Sequence, residues 1–484
     1  MWMVLFKLAD RSLGLVSVVI LARLLVPADF GLVAMAMAVI AFIDIATTLS
    51  FDIALIQRPE PSREHYDTAW TLNVAVGFGC ALAIAALAYP AASFYSEPRL
   101  TAVMLVLAGS WLLQGFENIG VVNFRREMNF AREFRFMASK RIVGFVVTLS
   151  LALTLQSYWA LIAGTVVSRF VGVLLSYGMQ PFRPRFSLAA SKELFSFSSW
   201  LLLNNILGAT LSNISLFFIG RVHGPQALGL YTVGHEIAFL PATELVAPIN
   251  RAVLPGYARM ATNLGTLREG FVDVIAVILI IALPASFGLA AIAEPLVKVM
   301  LGDKWVGAIP IVAILAFGGA IAAVQSNNYS AYIALGKQRV LVLIMLVHLS
   351  VVLPLMFVLG GKLGIVGVAY AELIASTISL AVSYPVLFQT LKISVPSYGK
   401  ALWRPLVAAT AMGFTVHALG REMTDGAMAL APVLQLAVLV TAGVVIYLVT
   451  LAVLWLAAGK PIGAEMVLLA RLTDGISRIK RVLG

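Results

Sequence analysis

The stretch ARLLVPADFGLVAM, residues 22–35, has a counterpart further along the chain in GRVHGPQALGLYTV, residues 220–233. When Arg23 is aligned with Arg221, a proline, a glycine and a leucine recur at a constant separation of 198 residues. The shared pattern is R-x-x-x-P-x-x-[FL]-G-L, and both copies join two long apolar runs. Proline stops a helix and glycine allows a tight re-entry, so each copy alone predicts a helical hairpin. Two copies in one register predict that the fold is internally duplicated.

The composition is typical of a membrane protein. Of the 484 residues, 61% are hydrophobic and only 12% are charged, and the mean hydropathy is +0.96. About a quarter of the residues of a soluble domain are charged, because its surface must face water. No cleavable signal peptide is predicted, since Lys7, Asp10 and Arg11 interrupt the first apolar run. The single cysteine, Cys80, excludes an internal disulfide.

Fourteen apolar runs predict fourteen transmembrane helices, because about 20 residues cross the hydrocarbon as a helix. They lie at 4–26, 30–57, 68–90, 100–122, 141–157, 159–179, 195–219, 227–249, 271–292, 306–335, 340–359, 365–388, 405–420 and 430–457. Six runs, an even number, separate the two copies of the pattern, so both halves have the same orientation. Parallel repeats of this kind are typical of transporters that bind substrate between two lobes and alternate its access to the two sides.

The predicted fold class is therefore an all-α polytopic membrane protein with two parallel six-helix lobes. Two further helices follow the second lobe, and the chain ends in a tail whose apolar residues have helical spacing. The predicted parts are an N-terminal lobe at 1–190, a second lobe at 191–395, two additional transmembrane helices at 396–458 and an amphipathic cytoplasmic tail at 459–484.

The orientation follows from the basic residues. If the runs alternate from a cytoplasmic N-terminus, most of the 34 Lys and Arg residues fall on the inner side, while Arg23 and Arg169 are assigned to span ends. Cytoplasmic loops carry this excess of positive charge, so both termini are predicted to be cytoplasmic. The same excess accounts for the net charge of +11 without a nucleic-acid partner. The longest inner loop, 123–141, is interpreted as an anchor on anionic headgroups.

Polar residues inside the spans are the functional candidates, because an ionisable group in the bilayer usually faces a cavity or a partner. Asp44, Glu236 and Glu244 lie well inside their runs and are predicted to line a cavity or relay protons. His235 is next to Glu236 and could titrate near neutral pH. Other candidates lie near span ends, where side chains can instead reach the headgroups; they are Asp52, Asn250 and Arg251.

Several motifs are missing from the sequence. It contains no G-x-x-x-x-G-K-[ST] loop, which excludes ATP as a direct energy source, and no H-E-x-x-H or Cys/His cluster for a metal. No cofactor is predicted, and the loops are too short to hold a soluble catalytic domain.

The hairpin at 22–36 and the segment ALIQRPEPSREHYDTAWTLN, residues 54–73, resemble the polysaccharide transporter family. This family belongs to the multidrug/oligosaccharidyl-lipid/polysaccharide flippase superfamily, and the resemblance is to its lipopolysaccharide O-unit and colanic-acid exporters. It covers residues 1 to about 420. The resemblance implies a multi-pass protein of the bacterial inner membrane that is not an enzyme. It would move a polyprenyl-diphosphate-linked oligosaccharide from the inner to the outer leaflet.

The resemblance also implies partners and site roles. A diphosphate prefers Arg or Lys, and a sugar requires polar groups in a cavity. The substrate-binding candidates are Lys7, Arg11, Asn204, Asn205, Asn250 and Arg251. The ion-coupling candidates are Asp44, Asp52, His235, Glu236 and Glu244. Coupling to protons or sodium and uncoupled downhill flipping both stay open. Membrane lipids, a polysaccharide polymerase and chain-length machinery are the expected partners, and a monomer is expected.

Two alternatives share parts of this pattern. A multidrug or cation antiporter has the same architecture but would need a smaller and more acidic or apolar cavity. A membrane glycosyltransferase or polysaccharide polymerase would need a large outer loop and an acidic catalytic motif. The sequence has no such loop and no D-x-D, and SFDIAL, residues 50–55, contains a single Asp.

Overall fold

A computed structural model describes residues 2–44, 51–191, 199–425, 431–461 and 465–466. Over these ranges the regular secondary structure is helical, and no strand is found. By its internal contacts the chain divides into two units, Met1–Thr232 and Val233–Gly484. The boundary falls inside one long helix, just after the repeated glycine and leucine of the second copy. The predicted lobe boundary at 190/191 stays a prediction.

The first unit contains eight helices and the beginning of a ninth. They are α1 Trp2–Leu24, α2 Pro27–Asp44, α3 Phe51–Gln57, α4 Arg63–Tyr95, α5 Arg99–Gly115, α6 Asn123–Arg126, α7 Phe130–Leu155, α8 Trp159–Met179 and α9 Ser199–Leu240. A 3₁₀ segment, Ile119–Val122, separates α5 from α6. The predicted run 30–57 is covered by α2 and α3, and residues 45–50 of it lie outside the described residues.

The second unit continues from α9 through a π-helical turn, Pro241–Val246. Its helices are α10 Ala247–Met260, α11 Leu264–Ala291, α12 Ala293–Met300, α13 Ile309–Ala334, α14 Gln338–Leu355, α15 Gly361–Leu391, α16 Val395–Asp425 and α17 Pro432–Ala457. A second π-helical turn, Met356–Gly360, joins α14 to α15. The predicted tail at 459–484 lies almost wholly outside the described residues.

Within the described ranges, nine helical stretches are long and apolar enough to cross a membrane, or ten if one bent pair counts as a single span. Two of them, Asn205–Met260 and Gln338–Leu391, have 56 and 54 residues, which at about 20 residues a crossing is enough for two crossings each. The chain is thus an integral membrane protein of the predicted all-α class. The count of fourteen spans stays a prediction, although every predicted run overlaps a helix.

Local sequence signals explain where several helices begin. Pro27 is the first residue of α2, where its missing N–H costs nothing. The backbone N–H of Val26 donates to Asp29 Oδ2 at 3.2 Å just before this helix. At the start of α4 the backbone N–H of Ser62 donates to His65 Nδ1 at 3.1 Å, and the Ser62 hydroxyl lies 2.6 Å from the same atom. In α9 the chain bends at Gly224, whose φ of 78° requires glycine.

Small residues let the helices of the first unit approach closely. A Cβ added at Gly77 of α4 would lie 2.9 Å from the Cα of Gly115 on α5. A Cβ at Gly144 of α7 would lie 2.9 Å from the Cβ of Ser168 on α8. Close backbone contact of this kind drives helix association in a bilayer, where the lipid tails are as apolar as the side chains.

The two copies of the repeated pattern lie against each other in the first unit. A Cβ added at Gly31 would lie 1.7 Å from the carbonyl oxygen of Pro225. A Cβ added at Gly229 would lie 1.8 Å from the carbonyl oxygen of Pro27. The start of α2 and the second half of α9 are therefore in backbone contact through the motif that defined the repeat.

Candidate functional site: a charged cavity in the first unit

An open cavity of about 330 Å³ is lined by α1, α3, α6, α7 and α8 together with the segment that follows α5. Its lining combines aromatic and aliphatic side chains with charged groups of both signs. The charged residues are Asp10, Asp52, Glu117, Arg125, Glu133, Lys140 and Arg141. Four of these side chains are acidic and three are basic, so the cavity is polar but carries little net charge.

Helix α7 supplies three of the seven charged lining residues, Glu133, Lys140 and Arg141. Lys140 and Arg141 follow Glu133 by seven and eight residues, or about two helical turns, which places all three toward one face of the helix. The side chain of Asn129 accepts a hydrogen bond from the backbone N–H of Arg132 at 3.3 Å and so caps the helix. Helix α7 therefore begins at Phe130, well before the predicted span at 141–157.

Two ion pairs join α7 to neighbouring elements. Arg141 Nε lies 2.8 Å from Asp10 Oδ1 on α1. Lys140 Nζ lies 2.7 Å from Glu117 Oε2 just beyond α5. The Lys140 ammonium also lies 4.8 Å from the centroid of the Phe136 ring, a cation–π contact. These cations are thus held in fixed positions by groups from three different elements.

Arg125 forms the third charged centre and contacts two carboxylates. Its Nε lies 2.5 Å from Glu133 Oε1, and its Nη1 lies 3.8 Å from Asp52 Oδ2. Glu133 is buried, whereas the side chains of Arg125 and Asp52 are 47% and 42% exposed. The sequence predicts that the segment 123–141 is a headgroup anchor, but three of its cations face carboxylates that line this cavity.

Asn118 builds the bend that presents Glu117. Its Nδ2 donates to the carbonyl oxygen of Phe182 at 2.7 Å, and its Oδ1 accepts from the backbone N–H of Gly120 at 2.9 Å. Its own N–H donates to Ser176 Oγ at 2.9 Å. The chain turns by 68° between α5 and the helical segment that begins at Ile119. The buried amide replaces the helical hydrogen bonds lost at this turn.

A second cavity of about 330 Å³ shares Asp52, Glu117 and Lys140 with the first. Its lining extends along α4 and α5 to Asn73, Trp111 and Gln114. The charged region is therefore continuous with a polar groove along the middle of the first unit.

Arg169 lies over the ring of Trp111. The prediction that it lies near a span end is wrong, because it is the eleventh of the 21 residues of α8. Its guanidinium carbon lies 4.3 Å from the centroid of the Trp111 ring, and its Nη1 donates to Ser110 Oγ at 3.0 Å. It also interacts electrostatically with Asp44. Its central position in an otherwise uncharged run is the signal that could have identified it.

The predicted substrate-binding residues are not gathered at one place in the described residues. Lys7 and Arg11 are exposed on α1, while Phe6 and Asp10 of the same helix line the cavity. Asn204 belongs to α9, but its side chain lies outside the description, and Asn205 is half-buried. In the second unit Asn250 is buried and donates to Ser326 Oγ at 2.5 Å.

Arg251 next to Asn250 is exposed. The roles of all six substrate-binding candidates stay predictions.

The predicted coupling residues are also dispersed. Asp52 lines both cavities, and Asp44 ends α2. His235 stacks on the Phe239 ring with centroids 4.1 Å apart. The adjacent side chain of Glu236 is exposed. Glu244 is half-buried in the π-helical turn, and its Oε1 accepts from Thr243 Oγ1 at 3.1 Å. Their coupling roles stay predictions as well.

Residues 20–310 match the model of a family described as polysaccharide biosynthesis protein. The chain belongs to this family. The match includes the first copy of the repeated hairpin, the second copy and every residue of the cavity except those of α1 before residue 20. The resemblance inferred from the hairpin and from the segment 54–73 is thereby confirmed.

Individual relatives agree with the family assignment. The chain is 25% identical to the lipopolysaccharide biosynthesis protein WzxC of Escherichia coli K12, over 87% of this chain and 86% of that protein. It is 26% identical to the succinoglycan biosynthesis transport protein ExoT of Rhizobium meliloti, over 66% of this chain and 65% of that protein. These names describe polysaccharide biosynthesis and transport, as predicted, and not an enzyme.

A solved structure shows the same fold. The structure of the lipid II flippase MurJ in an inward closed conformation covers 94% of this chain and 99% of its own length, with a TM-score of 0.73 and 13% identity. At 13% identity this similarity shows the fold alone, and that fold agrees with the predicted all-α membrane class.

Proposed function

We propose that the chain is a flippase that moves a polyprenyl-diphosphate-linked oligosaccharide across the bacterial inner membrane by alternating access. The substrate would be a lipopolysaccharide O-unit or an exopolysaccharide repeat unit. Family membership, the names of the relatives and the flippase fold support this class of substrate. The single observation that carries the proposal is the charged cavity among α1, α3, α6, α7 and α8, because neither sugar nor diphosphate can enter hydrocarbon without such a lining.

The ion pairs of the cavity are suited to exchange with an anionic substrate. The side chains of Arg141 and Asp10 are 47% and 37% exposed. A pair this exposed contributes only about 0–1 kcal/mol. Hydrogen bonds from Arg to phosphate are stronger, because they are charge-assisted and bidentate. We infer that a diphosphate displaces Asp10 from Arg141 and that the freed carboxylate then accepts hydrogen bonds from sugar hydroxyls.

Arg169 provides a cation deeper in the same unit. A diphosphate leaving the cavity along the groove of Asn73, Trp111 and Gln114 would approach the Trp111–Arg169 pair. A guanidinium suits this position because it stays charged when it is partly buried. The proposed path therefore begins at Arg141 and Lys140 and passes toward Arg169.

The proposal also includes the orientation of the chain in the membrane and its partners. We place both termini in the cytoplasm, since the basic residues concentrate on that side. The cavity then opens toward the leaflet where lipid-linked units are assembled. A monomer would carry the substrate, and a polysaccharide polymerase with its chain-length machinery would act on the product outside.

The test compares leaflet pools of lipid-linked oligosaccharide in cells that lack the protein and carry either the wild type or Arg141→Ala. Outer-leaflet glycan is labelled with an impermeant lectin, and the inner pool is measured after extraction. Without the protein, and with Arg141→Ala, complete units should accumulate inside and be depleted outside.

Arg99→Ala is the matched control. Arg99 pairs with Glu97 at 2.8 Å and is 45% exposed, but this pair is not part of the cavity lining. The control should behave as wild type. Unchanged pools in the strain without the protein would contradict the proposed substrate class. A normal outer pool in Arg141→Ala would contradict the role of the cavity.

A further inference from the structure

We propose that the second unit binds a coupling proton at the pair His348–Glu372, and that a polar file between α13 and α15 connects this pair to the inner end of α15. The proposal rests on the proposed transport function and names the step that would drive it. None of the coupling candidates inferred from the sequence includes His348 or Glu372.

The pair is an ionisable couple well inside two membrane helices. His348 Nε2 lies 3.2 Å from Glu372 Oε1, and the two side chains are only 14% and 18% exposed. His348 is the eleventh residue of the 18-residue helix α14, and Glu372 is the twelfth of the 31 residues of α15. Ionisable residues at such positions are rare and costly in a bilayer, and they mark ion or proton pathways.

Proton binding changes the charge of this couple by one unit. With a neutral imidazole, the couple carries the single negative charge of Glu372. A proton taken from solution onto Nε2 makes an imidazolium beside the carboxylate, so the net charge of the couple becomes zero. A charge change of this size inside hydrocarbon alters the relative free energy of conformations that bury the couple and those that expose it. Histidine is suited to this role because its neutral ring has one nitrogen free to accept a proton, and both ring nitrogens carry protons in the imidazolium.

Other titratable groups surround the pair. His235 on α9 interacts electrostatically with Glu372 and stacks on Phe239, and Glu236 adjoins it on the same helix. His417 of α16 lines a cavity together with Tyr370 and Leu373 of α15. The other titratable and charged groups on the described elements around α14 and α15 are Arg268, Glu269 and Asp273 of α11, Tyr329 and Tyr332 of α13, Arg339 of α14, and Lys362, Tyr370 and Tyr384 of α15.

A row of polar residues runs along α15 from Glu372. The residues that follow it on the same side of the helix, at spacings of four, three and four, are Ser376, Ser379 and Ser383. Helix α13 opposes this row. Gln325 Nε2 donates to the carbonyl oxygen of Ser376 at 3.2 Å. Tyr332 Oη donates to the carbonyl oxygen of Ser383 at 3.0 Å.

The middle of the file contains buried polar atoms without hydrogen bonds. Gln325 and Ser376 are 51 residues apart in the chain, and so are Tyr332 and Ser383. Asn328 and Ser379 have the same separation, so they lie at the same height on the two helices. Asn328 is 2% exposed and Ser379 is 1% exposed. Among the described residues, neither amide atom of Asn328 nor the Ser379 hydroxyl has a hydrogen-bond partner. Native proteins seldom leave buried polar atoms in this state, so these groups point to a hydrogen-bonding species that occupies or passes along the file.

The file has a direction. By the charge-based orientation, α15 runs from the outer side at Gly361 to the inner side at Leu391. The serines lie between Glu372 and the inner end, where Lys337 Nζ donates to Thr390 Oγ1 at 3.1 Å. A proton that binds at His348 from outside would therefore leave along Ser379 and Asn328 to the cytoplasm, the opposite direction to the exported glycan.

The first test titrates the purified, detergent-solubilised protein without any substrate. The thermal unfolding midpoint is measured from about pH 5 to pH 8, the range in which histidine titrates. When the midpoints of His348→Gln are subtracted from those of the wild type at each pH, the difference should follow the titration of one proton. The profile of Glu372→Gln should lack this same transition. His65→Gln and Glu294→Gln are matched controls, since His65 is a half-buried helix-capping residue outside the second unit and Glu294 is ion-paired to Lys298 at 2.7 Å. Wild-type profiles are expected for both controls. A wild-type profile for His348→Gln would overturn the proton site.

The second test uses proteoliposomes that contain extracted lipid-linked oligosaccharide, with and without an imposed pH gradient. The gradient should accelerate flipping by the wild type at least severalfold. The flipping rate of His348→Gln should be the same with and without the gradient. Asn328→Leu should keep the titration of the first test but slow gradient-driven flipping, because it interrupts only the file. An equal flipping rate of the wild type with and without the gradient would overturn the proton site but would not contradict the flippase function. No flipping by the wild type, with the titration intact, would instead contradict the proposed function.

Discussion

Gly31 and Gly229 occupy equivalent positions in the two copies of the repeat, and each lies against the proline carbonyl of the other copy. A Cβ at Gly31 would be 1.7 Å from the oxygen of Pro225, and a Cβ at Gly229 would be 1.8 Å from the oxygen of Pro27. The contact is reciprocal, which agrees with the predicted duplication of this motif. The repeated glycine is thus explained by the contact between the copies as well as by the hairpin within each copy.

Gly31→Ala and Gly229→Ala should each destabilise the first unit. The atoms that a new methyl group would meet belong to backbone, which cannot move aside as a flexible side chain can. We expect each substitution to cost about 1–3 kcal/mol, the usual range for overpacking, and to lower the thermal unfolding midpoint in detergent. Gly79→Ala is the control, because a Cβ there meets nothing within 4 Å and alanine favours a helix. Equal midpoints for Gly31→Ala and Gly79→Ala would contradict the close contact.

Arg169→Lys should impair export while the net charge is unchanged. Lysine loses the planar group that stacks over Trp111 and donates to Ser110. We expect the outer pool of lipid-linked glycan to fall severalfold. Arg221→Lys provides the comparison, since Arg221 lies 6.0 Å from the Phe94 ring and does not line either of the two cavities described above. If both variants export equally, the deep guanidinium has no special role.

Asn118→Ala should lower stability more than the loss of an ordinary helix cap. The substitution removes the acceptor of the buried Gly120 N–H, whereas the Phe182 carbonyl keeps the hydrogen bond from Arg183 Nη1 at 3.0 Å. A buried N–H without a partner costs about 1–3 kcal/mol. Asn129→Ala removes an exposed cap of α7 and should cost about 1 kcal/mol. Denaturant unfolding of both variants measures the difference, and the reverse order would contradict the assigned role of Asn118.

Acidification should weaken the connection between α4 and α5 through Glu97. Hydrogen bonds from the Arg99 side chain lower the pKa of Glu97 below its ordinary value. A carboxylate with a lowered pKa stabilises the fold above its unfolded-state pKa of about 4.3, and this contribution disappears as the pH falls through the folded-state pKa.

Glu97→Gln should therefore lose less stability than the wild type between pH 7 and pH 3. Thermal unfolding at the two pH values measures this loss. A larger loss in Glu97→Gln would contradict the sign of the effect.

The sequence by itself determined the membrane class and the family, and it predicts the duplication. Each depends on local information: apolar runs of the length of a bilayer, a ten-residue pattern repeated at a fixed separation, and the hairpin with the segment 54–73. It also pointed to Asp52 and to polar groups within spans, because charge inside an apolar run is visible without coordinates. Helix starts such as Pro27 could be predicted for the same reason.

Only the tertiary structure decided which charges meet. The sequence could not pair Arg141 with Asp10 or Lys140 with Glu117, since the partners lie on elements distant in the chain. Lys7 and Arg11 share a helix with Asp10, yet they are exposed while Asp10 lines the cavity. The polarity of a residue can be read from the sequence alone. Whether its side chain faces a cavity or the outside depends on how its helix packs against the neighbouring helices. That packing also brought His348 to Glu372 and Gly31 to the second copy of its own motif.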